Sequence, residues 1–257
     1  MAGETKNRKG IYLPAGLILW FMGSVAAFGI PARIRKEHFD INRKRWQAFT
    51  ERLRQQKGGK ELPWIEDQNG LGEFAYGRHN RLLSRLLLGG RPLSARENAC
   101  EVVAVYNALL ALGPEAQPDL PALLETFEKR GISLGGYFGT SFGAICRFFR
   151  GGQWHMKVLK GKKITKDALK EAENGGVSAC IMMTENSAGR LGAMIHTICI
   201  SPKNAFSQEA AIKWRAHNDY EGSRVSDNLT DAVFGYHNAA GRPLGVILLY
   251  RREETER

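Results

Sequence analysis

The spacing of apolar residues changes part-way along this chain. Between about residues 40 and 150 they return every three or four positions, as in helices; after Gly151-Gly152 they come in short blocks, as in strands. The first part predicts a helix capped by Asp40 and running to about Gln56, with Trp46, Phe49 and Leu53 along one side. Lys57-Gly58-Gly59-Lys60 ends it, residues 61 to 80 read as irregular, and a short helix spans Arg81 to Leu88 before Gly89-Gly90. Three more helices follow: Asn98 to Leu112, Asp119 to Lys129, and Thr140 or Ser141 to Arg150. The second part predicts strands at Met156 to Leu159, Val177 to Thr184, Ala193 to Ile200, Ala211 to His217, Ala232 to Tyr236 and Leu244 to Tyr250. A helix at Lys166 to Ala172 interrupts them. Helices first and strands afterwards is an α+β arrangement, with an antiparallel sheet packed on a helical layer.

Residues 11 to 32 carry no charge, with Lys6, Arg8 and Lys9 before them and Arg33, Arg35 and Lys36 after. The stretch is long enough to cross a bilayer, which takes about 20 apolar residues. The denser basic flank on its C-terminal side favours a cytoplasmic place for the domain that follows. A cleavable signal near Val25-Ala26-Ala27, or a segment packed on the domain, are the rival readings. The chain thus divides into a basic and apolar start at 1–36, a helical and irregular extension at 37–89 and a domain at 90–252.

Composition adds two constraints. Of 257 residues, 43% are apolar, enough for a sizeable core, but the net charge of +11 is high. Much of it lies in Arg43-Lys44-Arg45, Arg52 to Lys60 and Lys157 to Lys170. These clusters read as solvated basic surface; no motif interleaves them with aromatics, so nucleic acid is not expected as a partner. The four cysteines, Cys100, Cys146, Cys180 and Cys199, fit neither a disulfide framework nor a metal knuckle, and no cofactor or metal is expected.

The stretch Asn98 to Leu112 is apolar on nearly every side, which places it in a core, and Cys100 stands in its first turn. Unpaired N–H groups and the helix dipole favour thiolate there, whereas the other three cysteines lie inside apolar runs. Thiol-based acyl transfer also needs an imidazole, a group to orient it and donors for the oxyanion. His196 is the one basic residue in the apolar strand Gly192 to Ile200. The turn Ser201-Pro202-Lys203-Asn204 returns the chain antiparallel, so that Asn218, or Asp219 beside it, comes level with His196. Asn98 is the nearest side-chain amide to Cys100. It is equally placed to donate to an oxyanion or, with Glu101 three residues on, to form a capping box; Ser94 and Glu97 repeat that spacing. His217 and His237 read as surface histidines, either of which replaces His196 under a different strand register.

The helix Asn98 to Leu109, the helix Leu120 to Phe127, the turn Phe138-Gly139-Thr140-Ser141, the strand His196 and the later Asn218-Asp219 together resemble the papain-like cysteine peptidases. They are most similar to the bacterial branch that removes double-glycine leaders. The likeness spans about residues 90 to 250 and keeps the order Cys, His, Asn/Asp. It implies a buried nucleophile helix on an antiparallel sheet, Cys100 as nucleophile, His196 as general base and acid, and Asn218 (or Asp219) as orienting residue. It departs in one respect: such enzymes carry a glutamine shortly before the cysteine, and here none lies between Gln68 and Cys100. The expected activity is hydrolysis of a peptide or amide bond through a thioester; the alternative is a catalytically silent domain that binds a peptide or partner protein. Leu86-Leu87-Leu88-Gly89-Gly90 resembles a double-glycine cleavage site but equally spells a helix and its glycine stop.

Overall fold

The computed structural model describes residues 30–57, 62–113, 116, 118–152, 154–185, 195–203, 213–219, 224–236 and 243–251. The expectations for residues 11–29 and for His237 lie outside them. No helix among the described residues is long and apolar enough to cross a membrane.

Helix α1 (Ala32–Lys57) starts directly after Pro31, so Asp40 lies inside it and is not its cap. A proline just ahead of a first turn sacrifices no helical hydrogen bond, which explains the earlier start. One side of α1 is buried. Trp46 meets Tyr106 edge-on at 5.4 Å and Phe74 at 6.5 Å, and Asn42 exchanges two 2.8 Å hydrogen bonds with the main chain of Ala75. Ile30, Trp46, Ile65, Leu71, Phe74 and Tyr76 therefore belong to the same core as the helices that follow. The extension at 37–89 is built into the domain.

Helix α2 (Arg81–Leu88) matches its expectation: Asn80 accepts from the Leu82 and Leu83 N–H groups, and Gly89 closes it at φ +62°. The stretch expected as one helix from Asn98 is two. Helix α3 (Ala95–Asn98) ends at Ala99, and helix α4 (Cys100–Leu112) starts anew. Ser94 stands at the cap position of α3 but makes no side-chain capping hydrogen bond, and the break at Ala99 puts an alanine instead of Asn98 in the cap position of α4. Helices α5 (Leu120–Arg130) and α6 (Phe142–Arg150) complete this layer, Ser141 capping α6 through the Ala144 N–H.

The remaining elements are β1 (His155–Lys160), α7 (Lys166–Asn174), β2 (Ala179–Glu185), β3 (Ile195–Pro202), β4 (Trp214–His217), β5 (Val225–Ser226), α8 (Leu229–Phe234) and β6 (Pro243–Tyr250). In place of the strand expected at Ala232 to Tyr236, Ala232 to Phe234 form the end of α8 and Gly235 closes it. Asn228 caps that helix through the Asp231 N–H, and Leu229, Ala232 and Val233 share its buried side at helical spacing. Two-residue β5 was not expected.

The strands form one antiparallel sheet in the order β1-β6-β2-β3-β4-β5. Both faces are covered, so β2 and β6 read as unbroken apolar runs. Ile181, Met183, Cys199, Ile247 and Leu249 face the layer of α4. Cys180, Met182, Ile198, Ile200, Val246 and Leu248 face α7 and α8. The chain is thus an α+β fold with α4 lying across β3 and β2.

Candidate active site

Cys100 opens α4 and keeps 7% of its surface exposed. Burial pushes its thiol well above the usual range, and the Glu101 carboxyl beside it pushes the same way. Thr197 on β3, which lies beside the sulfur, acts in the opposite direction, and its own hydroxyl is buried without a hydrogen-bond partner. At rest the thiol is therefore protonated.

Glu101 is a residue whose role the sequence disguised, since its spacing from Asn98 fits a cap. It is buried, and desolvation raises its carboxyl to about 7. Its Oε2 accepts the Thr140 N–H at 3.3 Å, and Gly139 lies so close that a Cβ there would stand 2.6 Å from that oxygen. Gly139 is also at φ +60°, where glycine is at ease. Gly139 is thus the wall of a carboxylate pocket. Tyr76 shares this pocket: its hydroxyl bonds Thr140 Oγ1, and its phenol feels Glu101, Glu128 and Cys100.

His196 sits elsewhere. Neighbouring strand residues point to opposite faces. Thr197 borders Cys100, so His196 shares the opposite face with Ile198, and Cys100 makes no hydrogen bond with it. Burial lowers the imidazole to about 4. Its Nε2 meets the main-chain carbonyl of Asn218 at 2.7 Å. Asn218 therefore does touch His196, but by its backbone; its φ of +65° turns the side chain away. That side chain accepts the Gln68 N–H at 2.9 Å and donates to Gln68 Oε1 at 2.8 Å. Asp219, the alternative orienting group, lies 3.4 Å from Arg224 instead.

Asn98 donates its side-chain N–H to the Gly136 carbonyl, so that donor is already engaged, while its Oδ1 is buried without a partner. Gln68, too distant in sequence to suggest a role, donates its side chain to the Arg96 carbonyl at 2.7 Å, four residues before Cys100. His196, Asn218 and Gln68 thus form a hydrogen-bonded chain that ends on α3.

Gln68 ends a strap, residues 63–68, that runs between α4 and β4. Asn107 on α4 holds both main-chain groups of Ile65, at 3.0 and 2.8 Å, and Tyr106 donates to the Pro63 carbonyl at 3.0 Å. On the other side Trp64 stacks on His217 at 4.1 Å, with the rings 10° from parallel. His217 is buried, contrary to its reading as a surface histidine, because this strap covers it. Its Nδ1 meets the Glu66 carboxylate at 3.1 and 3.2 Å, its Nε2 meets Ser201 Oγ at 2.9 Å, and Arg215 pairs with Glu66 at 3.1 Å. The order resembles a serine triad, but Ser201 is only 1% exposed. A hydroxyl sealed under a strap has no room for a substrate carbonyl, so this group acts as a clasp.

No cluster of three or more metal-ligating side chains occurs among the described residues. Compared with known proteins, the chain matches no family model, no curated sequence and no solved structure.

Proposed function

We propose that this protein is a thiol hydrolase of papain-like architecture, cleaving a peptide or amide bond through a thioester on Cys100. One observation carries the reading. A cysteine opens an almost wholly buried helix that packs across β3 and β2 of an antiparallel sheet, with Thr197 of β3 beside its sulfur. Helix N-terminal N–H groups and strand donors are the groups that stabilise a developing thiolate or oxyanion. His196 is a positioning residue in this reading. From behind the sheet it holds Asn218, and through it Gln68 and the segment leading to Cys100. The uncharged stretch 11–32 with its basic flanks supports a membrane-tethered enzyme with a cytoplasmic domain.

The test is direct trapping. The protein is mixed with fluorogenic peptide amides between pH 5 and 9, quenched in acid and mapped by mass spectrometry. An acyl adduct on Cys100, absent in Cys100→Ala together with cleavage, is expected. Absence of both adduct and cleavage across the library overturns the hydrolase reading. The second reading, a catalytically silent binding domain, is favoured because no imidazole among the described residues is hydrogen-bonded to Cys100, and it would then replace the first.

A further inference from the structure

We infer that a basic face, running from the first turns of α1 over the ends of α5 and α6 to the β1 edge of the sheet, lies against an anionic membrane surface. This rests on the membrane tether proposed above and is independent of the hydrolase chemistry. The charge is concentrated in one stretch: residues 129–170 hold ten basic residues and a single acidic one, Asp167. Among the described residues only Lys157 of the ten is paired with a carboxylate, that of Glu171 on α7 at 3.1 Å. Arg130, Arg147, Arg150, Lys160, Lys162 and Lys163 are all exposed.

The fold gathers these side chains. Arg147 of α6 donates to the Arg130 carbonyl at the end of α5, at 3.3 Å. Lys160, which ends β1, sits over the Phe142 ring at the head of α6, 5.2 Å from its centre. Lys162 and Lys163 follow in one helical turn before α7. β1 is an edge strand, with β6 its one neighbour in the sheet. The start of α1 borders the same face: His38 Nδ1 meets Glu128 Oε1 at 2.9 Å, two residues before Arg130, and exposed Lys36 stands two residues before His38.

What precedes α1 selects the occupant. Ile30 is packed in the core, which leaves 11–29 uncharged and still about the length of a bilayer crossing. A domain tethered there has the bilayer surface as its neighbour, and an anionic leaflet complements unpaired lysine and arginine spread over a broad area. Single-stranded nucleic acid would also need rings for its bases to stack on. The exposed positions of α6 are Gly143, Arg147 and Arg150, while Phe142 and Phe149 are buried, so this helix offers no exposed ring.

The test maps lysine reactivity on the full-length protein. It is added to vesicles of phosphatidylcholine, alone or with about one-fifth phosphatidylglycerol, floated, and treated briefly with a water-soluble acetylating ester. Mass spectrometry gives the rate at each lysine. An anionic leaflet concentrates protons about threefold at its surface, so an amine held there has about a third of its reactive free base. Lys160, Lys162 and Lys163 should therefore react about threefold more slowly on the anionic vesicles than on the neutral ones, and exposed Lys203, just after β3, should not. Salt at about 1 M, where screening acts within about 3 Å, should abolish the difference. Lys162→Glu combined with Lys163→Glu, on an exposed turn, should remove the slowing at Lys160 while flotation persists. Flotation with both vesicles and no difference between Lys203 and the other three lysines overturns the inference and leaves the tether standing. Flotation with the anionic vesicles alone, together with the slowing, supports the face and overturns the tether. No flotation with either overturns both. Slowing of the same three lysines by RNA, and not by anionic vesicles, gives the face to nucleic acid and overturns the inference.

Discussion

His196 on β3 and the main-chain carbonyl of Asn218, the residue after β4, meet at 2.7 Å. A carbonyl only accepts, so Nε2 carries the hydrogen. Burial adds a second constraint, because an imidazolium in that position would be stripped of water, and the ring stays neutral down to about pH 4. The histidine that the strand pattern singles out is thus a fixed neutral donor, one link in the scaffold beneath Cys100.

Two buried groups with opposite signs set the acid stability. His196 is held below its ordinary pKa of about 6.5, so its contribution is complete above that pH and is lost as pH falls towards 4. Glu101 is held above its ordinary value, so its contribution is complete at low pH and is lost as pH rises towards 7. Each shift corresponds to about 3 kcal/mol over its full range, and between pH 4.5 and 6.5 the two slopes largely cancel. Urea unfolding should therefore give a nearly flat wild-type profile in this window. His196→Gln should lose stability with rising pH, and Glu101→Gln with falling pH. Identical profiles for the three proteins would refute both assignments.

The strap depends on one amide. Asn107 closes a ring with both main-chain groups of Ile65, and all these atoms are buried. Asn107→Ala leaves a donor and an acceptor without partners, at about 1–3 kcal/mol each. Unfolding free energy should drop by about 2–5 kcal/mol, measured by urea titration with the Trp64 signal as reporter. A loss below about 0.5 kcal/mol, the size of an ordinary surface substitution, would show that the strap is held by its apolar contacts instead.

These relationships explain what could be read from the sequence. Helices α2, α5 and α6 were legible because period, start and glycine stop agree within each segment. The position of Cys100 was legible because an all-apolar helix has one place to go. Its surroundings were not. Which face His196 takes is decided by one residue of register against β2, and a single step exchanges it with Thr197. The strap ties Ile65 to Asn107 and Gln68 to Asn218, pairs far apart in the chain with no local signature. Glu101 was hidden because a capping box and a buried carboxylate pocket place the same letters at the same spacing. The α8 segment misled because a short apolar run serves a short helix as well as a strand.

The clasp of Ser201, His217 and Glu66 should behave as structure and not as chemistry. Ser201→Ala removes the partner of His217 Nε2, and the cost should be about 1–2 kcal/mol of stability. Fluorophosphonate, which labels activated serines, should leave Ser201 unmodified in the native protein. Acylation of Cys100 by p-nitrophenyl acetate should be unchanged by Ser201→Ala. Stoichiometric labelling of Ser201 would turn the clasp into a second reactive centre.

Gly139→Ala probes the carboxylate pocket without removing a functional group. The backbone at φ +60° is strained for alanine by about 1–2 kcal/mol. The new Cβ would also stand 2.6 Å from Glu101 Oε2 and 2.9 Å from Oε1, distances that force the carboxyl to move. Since the Thr140 N–H is the neighbour that fixes Oε2, the displaced carboxyl loses that bond. Stability should fall by about 2–4 kcal/mol, strain and displacement together. Acylation of Cys100 should fall with it, although Cys100 and Glu101 are both still present. Gly135→Ala supplies the control: its φ is +65°, yet the nearest atom to a Cβ there is 3.7 Å away, on Arg78. It should show the backbone cost of about 1–2 kcal/mol and unaltered acylation. Equal acylation rates in the two variants would mean that the placement of the Glu101 carboxyl does not govern the reactivity of Cys100.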